Sequence, residues 1–280
     1  MRALGRGWSL FFGLALISLL CGVGAHDALS QGVPTPPSIK ASALYLVDLK
    51  SGRVLLEKNA TRRLPPASLT KVMTALVAME AASPQQVVQV DRRALVHRSS
   101  LKLHAGEEFL LRDLLTAMLV TSANDACQAV ALHVGGEADR FVAMMNERAR
   151  ALGLRDTHFA NACGFDAPDH YSTAADLAKL TEQALQVPAI SMMVRTVIRE
   201  IASVDGKRQV PLRSTNELLL DPDVTGVKTG YTSKAGRCLI ASMFKDGHQL
   251  LLVGLNFMDR WEQATQLLRY GQAVLRVGNE

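Results

Sequence analysis

The strongest constraint on the fold is where the hydrophobic period changes along the chain. Near the start of the body, residues 43–48 and 53–57 are apolar and partly β-branched, joined by Lys50, Ser51 and Gly52; this reads as a hairpin. Near the end, residues 224–231, 238–244 and 249–256 are again short apolar runs, the last two joined by Lys245-Asp246-Gly247-His248. Asp-Gly between two such runs is a strong hairpin signal, because both residues tolerate the positive φ that a two-residue turn demands. Between these ends the period lengthens. Leu69, Val72, Met73, Leu76 and Val77 recur at three and four, which predicts a helix over 68–82 directly after Pro65-Pro66. Further helices are predicted at 111–120, 124–134 and 137–152, at 174–185 after Ser172-Thr173, and at about 261–275. The pattern implies an α/β (α+β) chain: one antiparallel sheet completed by both chain ends, flanking helices, and a helical subdomain inserted at about 83–185.

Residues 1–25 are set apart from that body. Residues 1–6 carry two arginines and no acid, residues 8–23 are almost wholly apolar, and Val23-Gly24-Ala25 ends the run on small residues. This is the layout of a cleaved signal peptide. The run approaches spanning length, so an uncleaved anchor is the alternative, against which the small-residue ending speaks. Leu20 before Cys21 is too bulky for a lipidation site. Residues 26–39, with three prolines between 31 and 38, read as a linker, and residues 40–280 as the folded domain.

The net charge of +5 includes both leader arginines and no basic block stands apart, so nucleic acid is not indicated as a partner. Beyond the leader, Cys127, Cys163 and Cys238 are odd in number and widely spaced; although an exported chain can pair two of them, the expectation is of small buried thiols. The seven histidines show no zinc-ligand spacing, and neither a metal site nor a cofactor is expected.

Three short motifs carry chemistry. Ser68-Leu-Thr-Lys71 puts a hydroxyl and an amine on one helical face about one turn apart. A serine needs a base to become a nucleophile, and lysine serves only if burial or a second cation destabilises its ammonium. At the first turn of a helix, the Ser68 N–H also lacks an internal partner and can donate to a developing oxyanion. Ser122-Ala-Asn124 lies at a helix–helix junction, where either residue could alternatively cap the next helix. Lys228-Thr229-Gly230 lies on a predicted strand, where a solvent-facing lysine before a turn is the alternative. Together, in this order, they form the three-motif set of the penicilloyl-serine transferases, and a Lys228 cation near Lys71 would supply what the first motif lacks.

Across about residues 40–275 the chain resembles the low-molecular-mass penicillin-binding proteins of the serine D-alanyl-D-alanine carboxypeptidase family. Residues 66–75 are similar to that family's nucleophile helix and 121–126 to its second motif. The stretches 141–146, 151–153, 157–159 and 170–176 are similar to the segments that follow, and 226–232 with Ala235-Gly236 to its third motif. The resemblance implies a β-lactamase/transpeptidase-like fold and a two-step acyl transfer on peptidoglycan stem peptides, with β-lactams as covalent inhibitors. It implies Ser68 as nucleophile, Lys71 as base, and Ser122 as proton relay to the departing D-alanine. Asn124 would bind the peptide amide, Lys228 and Thr229 the terminal carboxylate, and the N–H groups of Ser68 and of Tyr231, the residue after Gly230, the oxyanion. Arg260 and Arg213 are candidates for an added carboxylate-binding arginine. Family members often continue into a β-rich domain and an amphipathic tail; a chain ending at Glu280 is expected to lack a stable membrane anchor after signal cleavage and to work outside the cytoplasmic membrane, in the periplasm or its equivalent.

Other readings are weaker. A D-alanyl-D-alanine endopeptidase cleaving cross-links is the near alternative. A class A β-lactamase needs a deacylating glutamate downstream of the second motif, and residues 152–167 contain none. A non-catalytic penicillin sensor or peptidoglycan-binding module would need an output domain or a lost motif residue, and all three motifs are intact.

Overall fold

The computed structural model describes residues 34–277. In chain order the strands are β1 (Ala41–Asp48), β2 (Val54–Lys58), β3 (Val87–Gln89), β4 (Glu108–Leu110), β5 (Ile198–Ala202), β6 (Gln209–Arg213), β7 (Val224–Thr232), β8 (Gly236–Lys245) and β9 (His248–Phe257). The helices are α1 (Lys71–Ala81), α2 (Leu111–Val120), α3 (Asn124–Gly135), α4 (Ala138–Ala151), α5 (Ala174–Leu185), α6 (Pro188–Val194) and α7 (Arg260–Val277). The proposed leader and most of the linker lie outside the described residues.

Five strands form one antiparallel sheet in the order β2-β1-β9-β8-β7, so both chain ends do complete it. The Asp246-Gly247 turn has φ of +51° and +75°, as a two-residue hairpin requires, and it sets the Lys245↔His248 pairing. Side chains alternate between two apolar layers. Leu44 and Leu46 of β1, Leu239 and Ala241 of β8, and Leu250 and Leu252 of β9 pack against Ala264, Leu267 and Leu268 of α7. Ala43, Ile240, Leu251, Val253 and Leu255 face the opposite way, into the core shared with α1–α6. Because both faces are covered, these strands read as unbroken apolar runs rather than as a clean alternation.

The helix expected over 68–82 forms in two pieces. Ala67–Thr70 is a tight 3-10 turn entered with Ala67 at φ +50°, and α1 follows from Lys71. Residues 71–78 of α1 are all buried, so it is the central helix of the helical layer, surrounded on every side. The two-stranded pair β3–β4, the hairpin β5–β6 and the short α6 were not foreseen; β5–β6 turns at Asp205-Gly206, a signal present in the sequence but flanked by strands with mostly exposed residues. Among the described residues, no helix is long and apolar enough to cross a membrane.

Candidate active site

The three motifs converge between β7, the 3-10 turn and the α2–α3 junction. Lys71, fully buried at the start of α1, has its Nζ 2.9 Å from Ser68 Oγ, 2.8 Å from Asn124 Oδ1 and 2.7 Å from the Cys163 carbonyl oxygen. All three partners are uncharged. Burial first, and the Lys228 charge second, hold the Lys71 amine well below the ordinary lysine range. A neutral amine has two protons and one lone pair. It can donate to the Asn124 and Cys163 oxygens while its lone pair faces the Ser68 hydroxyl.

Ser122 and Asn124 do not cap α3; its first flanking residue is Ala123, without a side-chain cap. Ser122 instead occupies the left-handed region, at φ +62°, in the break between α2 and α3. The Asn124 carboxamide is held from both ends, since Oδ1 accepts from Lys71 and Nδ2 donates to the Arg98 carbonyl at 3.0 Å. Asp125, fully buried, accepts from Ser100 Oγ and from the backbone of Leu101 and Leu103, which ties the 100–103 segment to the first turn of α3.

Lys228 is buried rather than solvent-facing, and its Nζ donates to the Thr229 carbonyl at 2.8 Å. Burial first, then the charge of Arg260, push its pKa down to about 7. Thr229 Oγ1 is 2.6 Å from Thr215 Oγ1. Gly230 is needed for close approach: a Cβ there would lie 3.1 Å from both Ala67 Cβ and Ser68 N. Tyr231, exposed, follows on the same strand, which is the open edge of the sheet. Of the two candidate arginines, Arg260 is the one beside this motif. Its Nη1 donates to the Gly230 carbonyl at 3.2 Å and its guanidinium lies 4.3 Å from the Trp261 ring centre. Arg213 sits exposed on β6.

The expectation of unpaired thiols is corrected. Cys127 and Cys163 form a disulfide, and Cys238 alone is free among the described residues. Their Cα atoms are 5.9 Å apart because the 161–165 loop folds back onto α3, a long-range approach that spacing in the sequence does not encode. Asn161 Oδ1 accepts from the backbone N–H groups of Cys163, Gly164 and Phe165 and shapes that loop. Gly164, at φ +85°, passes directly under the Ala67 carbonyl, where a Cβ would stand 1.9 Å from its oxygen. The loop thus supplies an acceptor to Lys71 and a floor to the turn that carries Ser68. Neither role has a residue-level signature, because both are played by backbone.

A sequence profile of the D-alanyl-D-alanine carboxypeptidase family, Peptidase S11, matches residues 30–258. The chain is 37% identical over 282 residues to the D-alanyl-D-alanine carboxypeptidase DacD of Salmonella typhimurium, covering 94% of this chain and 70% of that protein. It is 35% identical to DacF of Bacillus subtilis over 82% of this chain and 62% of that one, so it spans roughly two thirds of the length of these relatives. A more distant relative, 27% identical over 91% of this chain and 84% of its own, is a D-alanyl-D-alanine endopeptidase of Pseudomonas aeruginosa. The crystal structure of the Streptomyces K15 DD-transpeptidase superposes with a TM-score of 0.81 at 28% identity, covering 86% of this chain and all of that one. With the fold, the three converging motifs and the match over most of its length in agreement, the chain belongs to the serine D-alanyl-D-alanine carboxypeptidase family.

Proposed function

We propose that this chain removes the terminal D-alanine from peptidoglycan stem peptides through an acyl-enzyme on Ser68. The observation that carries the reading is the buried Lys71 amine, with two neutral acceptors for its protons and its third direction facing Ser68 Oγ. In acylation, Lys71 takes the Ser68 proton as Oγ bonds to the carbonyl carbon between the two D-alanines. The oxyanion is met by the N–H groups of Ser68 and Tyr231. The C–N bond then breaks, and the proton passes from Lys71 through Ser122 to the departing amine. In deacylation, water gives a proton to Lys71 and its oxygen bonds to the acyl carbon. Ser68 Oγ leaves and recovers the proton. Asn124 keeps one Nδ2 proton free for the substrate's peptide carbonyl. Lys228, Thr229 and Arg260 form the carboxylate end, and an arriving carboxylate would draw Lys228, poised at about 7, into its charged form.

A β-lactam carbonyl would meet Ser68 in the same way, and the family membership supports β-lactams as covalent inhibitors. A stable disulfide fits an oxidising compartment, which with the leader over residues 1–25 supports export to the periplasm or its equivalent. Labelling with a fluorescent penicillin tests the nucleophile: an adduct is expected on the wild-type protein and none on Ser68→Ala, and absence of adduct on both would overturn the reading. Purified muropeptides, read by mass, test the reaction. Loss of one alanine is expected, whereas splitting of cross-linked dimers alone would assign the endopeptidase activity instead.

A further inference from the structure

Behind the nucleophile lies a chain of hydrogen bonds that the acyl-transfer steps do not use. The Ala160 N–H donates to His170 Nδ1 at 3.0 Å, His170 Nε2 is 2.8 Å from Thr70 Oγ1, and Thr70 Oγ1 donates to the Ala67 carbonyl at 2.8 Å. The two ends fix the direction of every proton between them. A backbone N–H only donates, so Nδ1 carries the lone pair and the proton of the neutral ring is on Nε2. A carbonyl only accepts, so the Thr70 hydroxyl spends its proton on Ala67 and its lone pair on His170. His170 and Thr70 are both buried, and the backbone just after the ring is stitched to two other segments, Tyr171 to His158 and Ser172 to Leu64.

We infer that His170 and Thr70 are positioning residues for the oxyanion hole, holding the Ala67–Ser68 peptide plane so that the Ser68 N–H points at the reacting carbonyl. The C=O of Ala67 and the N–H of Ser68 belong to one rigid peptide unit and point in opposite directions. Anchoring the oxygen from behind therefore aims the N–H forward. The anchor is needed because Ala67, a residue with a Cβ, sits at φ +50°, a left-handed conformation that crowds the Cβ against the following carbonyl and persists only when its surroundings impose it. Gly164 closes the other side of the same carbonyl. Burial keeps the His170 ring neutral, with a pKa lowered to about 4, so the chain keeps its direction through neutral and mildly acidic solution.

The inference rests on Ser68 being the nucleophile, and its test separates the two. Thr70→Val removes the hydroxyl at constant shape, and Thr70→Ser restores it. His170→Asn can still accept from Ala160 but falls short of Thr70, whereas the longer His170→Gln can donate to Thr70. Each variant is measured for kcat and KM on a D-Ala-D-Ala stem peptide, for affinity toward a boronic acid that forms a tetrahedral adduct, and for melting temperature. Outright loss of an oxyanion donor costs roughly 100- to 1,000-fold in kcat, so a misaimed one is expected to cost about 10-fold or more. Thr70→Val and His170→Asn should lose that much kcat, with KM little changed and boronate affinity falling in parallel, while Thr70→Ser and His170→Gln recover most of it. Thr70→Val that melts lower but turns over at the wild-type rate would overturn the inference, as would equal losses in the two His170 variants. If Thr70→Val does not fold, the His170 pair decides alone. Activity surviving Ser68→Ala would overturn the proposed function itself.

Discussion

Gly164→Ala puts one methyl group between the 161–165 loop and the turn that carries Ser68. The added Cβ would sit 1.9 Å from the Ala67 oxygen, 2.4 Å from its carbonyl carbon and 2.9 Å from Ser68 N. Side-chain carbons essentially never approach closer than 3.0 Å, so loop and turn must separate by about 1 Å. All three contacted atoms are backbone, and no flexible side chain can absorb the shift. A displacement of about 1 Å at reacting groups costs on the order of 100-fold in rate, and the left-handed conformation adds about 1–2 kcal/mol of strain for any residue with a Cβ. The strain alone can be measured at Gly206, which has φ +70° in the β5–β6 turn and open space where a Cβ would go. Gly164→Ala is therefore expected to acylate with a fluorescent penicillin about 100-fold more slowly than wild type, while Gly206→Ala acylates normally and loses only about 1 kcal/mol of stability. A folded Gly164→Ala protein that acylates within about threefold of wild type would refute the claim that this loop sets the position of Ser68.

Lys228→Met should abolish turnover yet stabilise the fold. The lysine's pKa falls from 10.5 to about 7 on folding, so the unfolded chain binds more protons between those values, and at pH 7 burial costs about 4 kcal/mol that methionine avoids. Urea midpoints should show the variant's advantage at pH 7 shrinking as pH rises toward 10.5; an advantage independent of pH would contradict the assignment. Lys228→Arg stays charged throughout, so a rise in KM above pH 7 seen in the wild-type enzyme should disappear in this variant. Reducing the Cys127–Cys163 bond, which closes a separation of 36 residues, should lower stability by about 4 kcal/mol and slow acylation, and a melting temperature indifferent to reductant would count against it. Arg260→Ala should raise KM for peptides ending in a free carboxylate more than for their amidated counterparts; equal effects would remove Arg260 from the carboxylate site.

Much of this molecule could be read from its residues in order, for identifiable reasons. The Asp246-Gly247 hairpin and the helices over 111–120, 124–135 and 174–185 are locally encoded, by turn chemistry and by the three-to-four period, and each formed within a residue or so of where it was expected. The candidate catalytic side chains were legible because acyl transfer by serine and lysine needs particular functional groups at particular spacings. Backbone contributions were not. The Cys163 carbonyl on Lys71, the left-handed Ala67 and the glycine beneath it are set by how distant segments meet, and any residue type can supply a carbonyl. The disulfide was missed for a related reason: its partners meet only once α3 and the 161–165 loop have packed. Thr215 beside Thr229 carries no motif, whereas Asp205-Gly206 was a readable turn whose exposed flanks hid the strands around it.

The order of strands in the sheet also sets a timetable. β1 is made first, yet it lies between β2 and β9, and its pairing with β9 joins positions as far apart as Ala41 and Phe257. Until the last strands exist, β1 and β2 are a lone two-stranded ribbon with an open edge, marginal in water. β7, which carries Lys228, Thr229 and Gly230, can pair locally with its neighbour β8, but it joins β1 within the sheet only by way of β8 and β9. Such non-local pairing makes folding slow. A growing chain therefore cannot complete the sheet until β9 has been delivered, and the edge of β1 that β9 covers waits open until then.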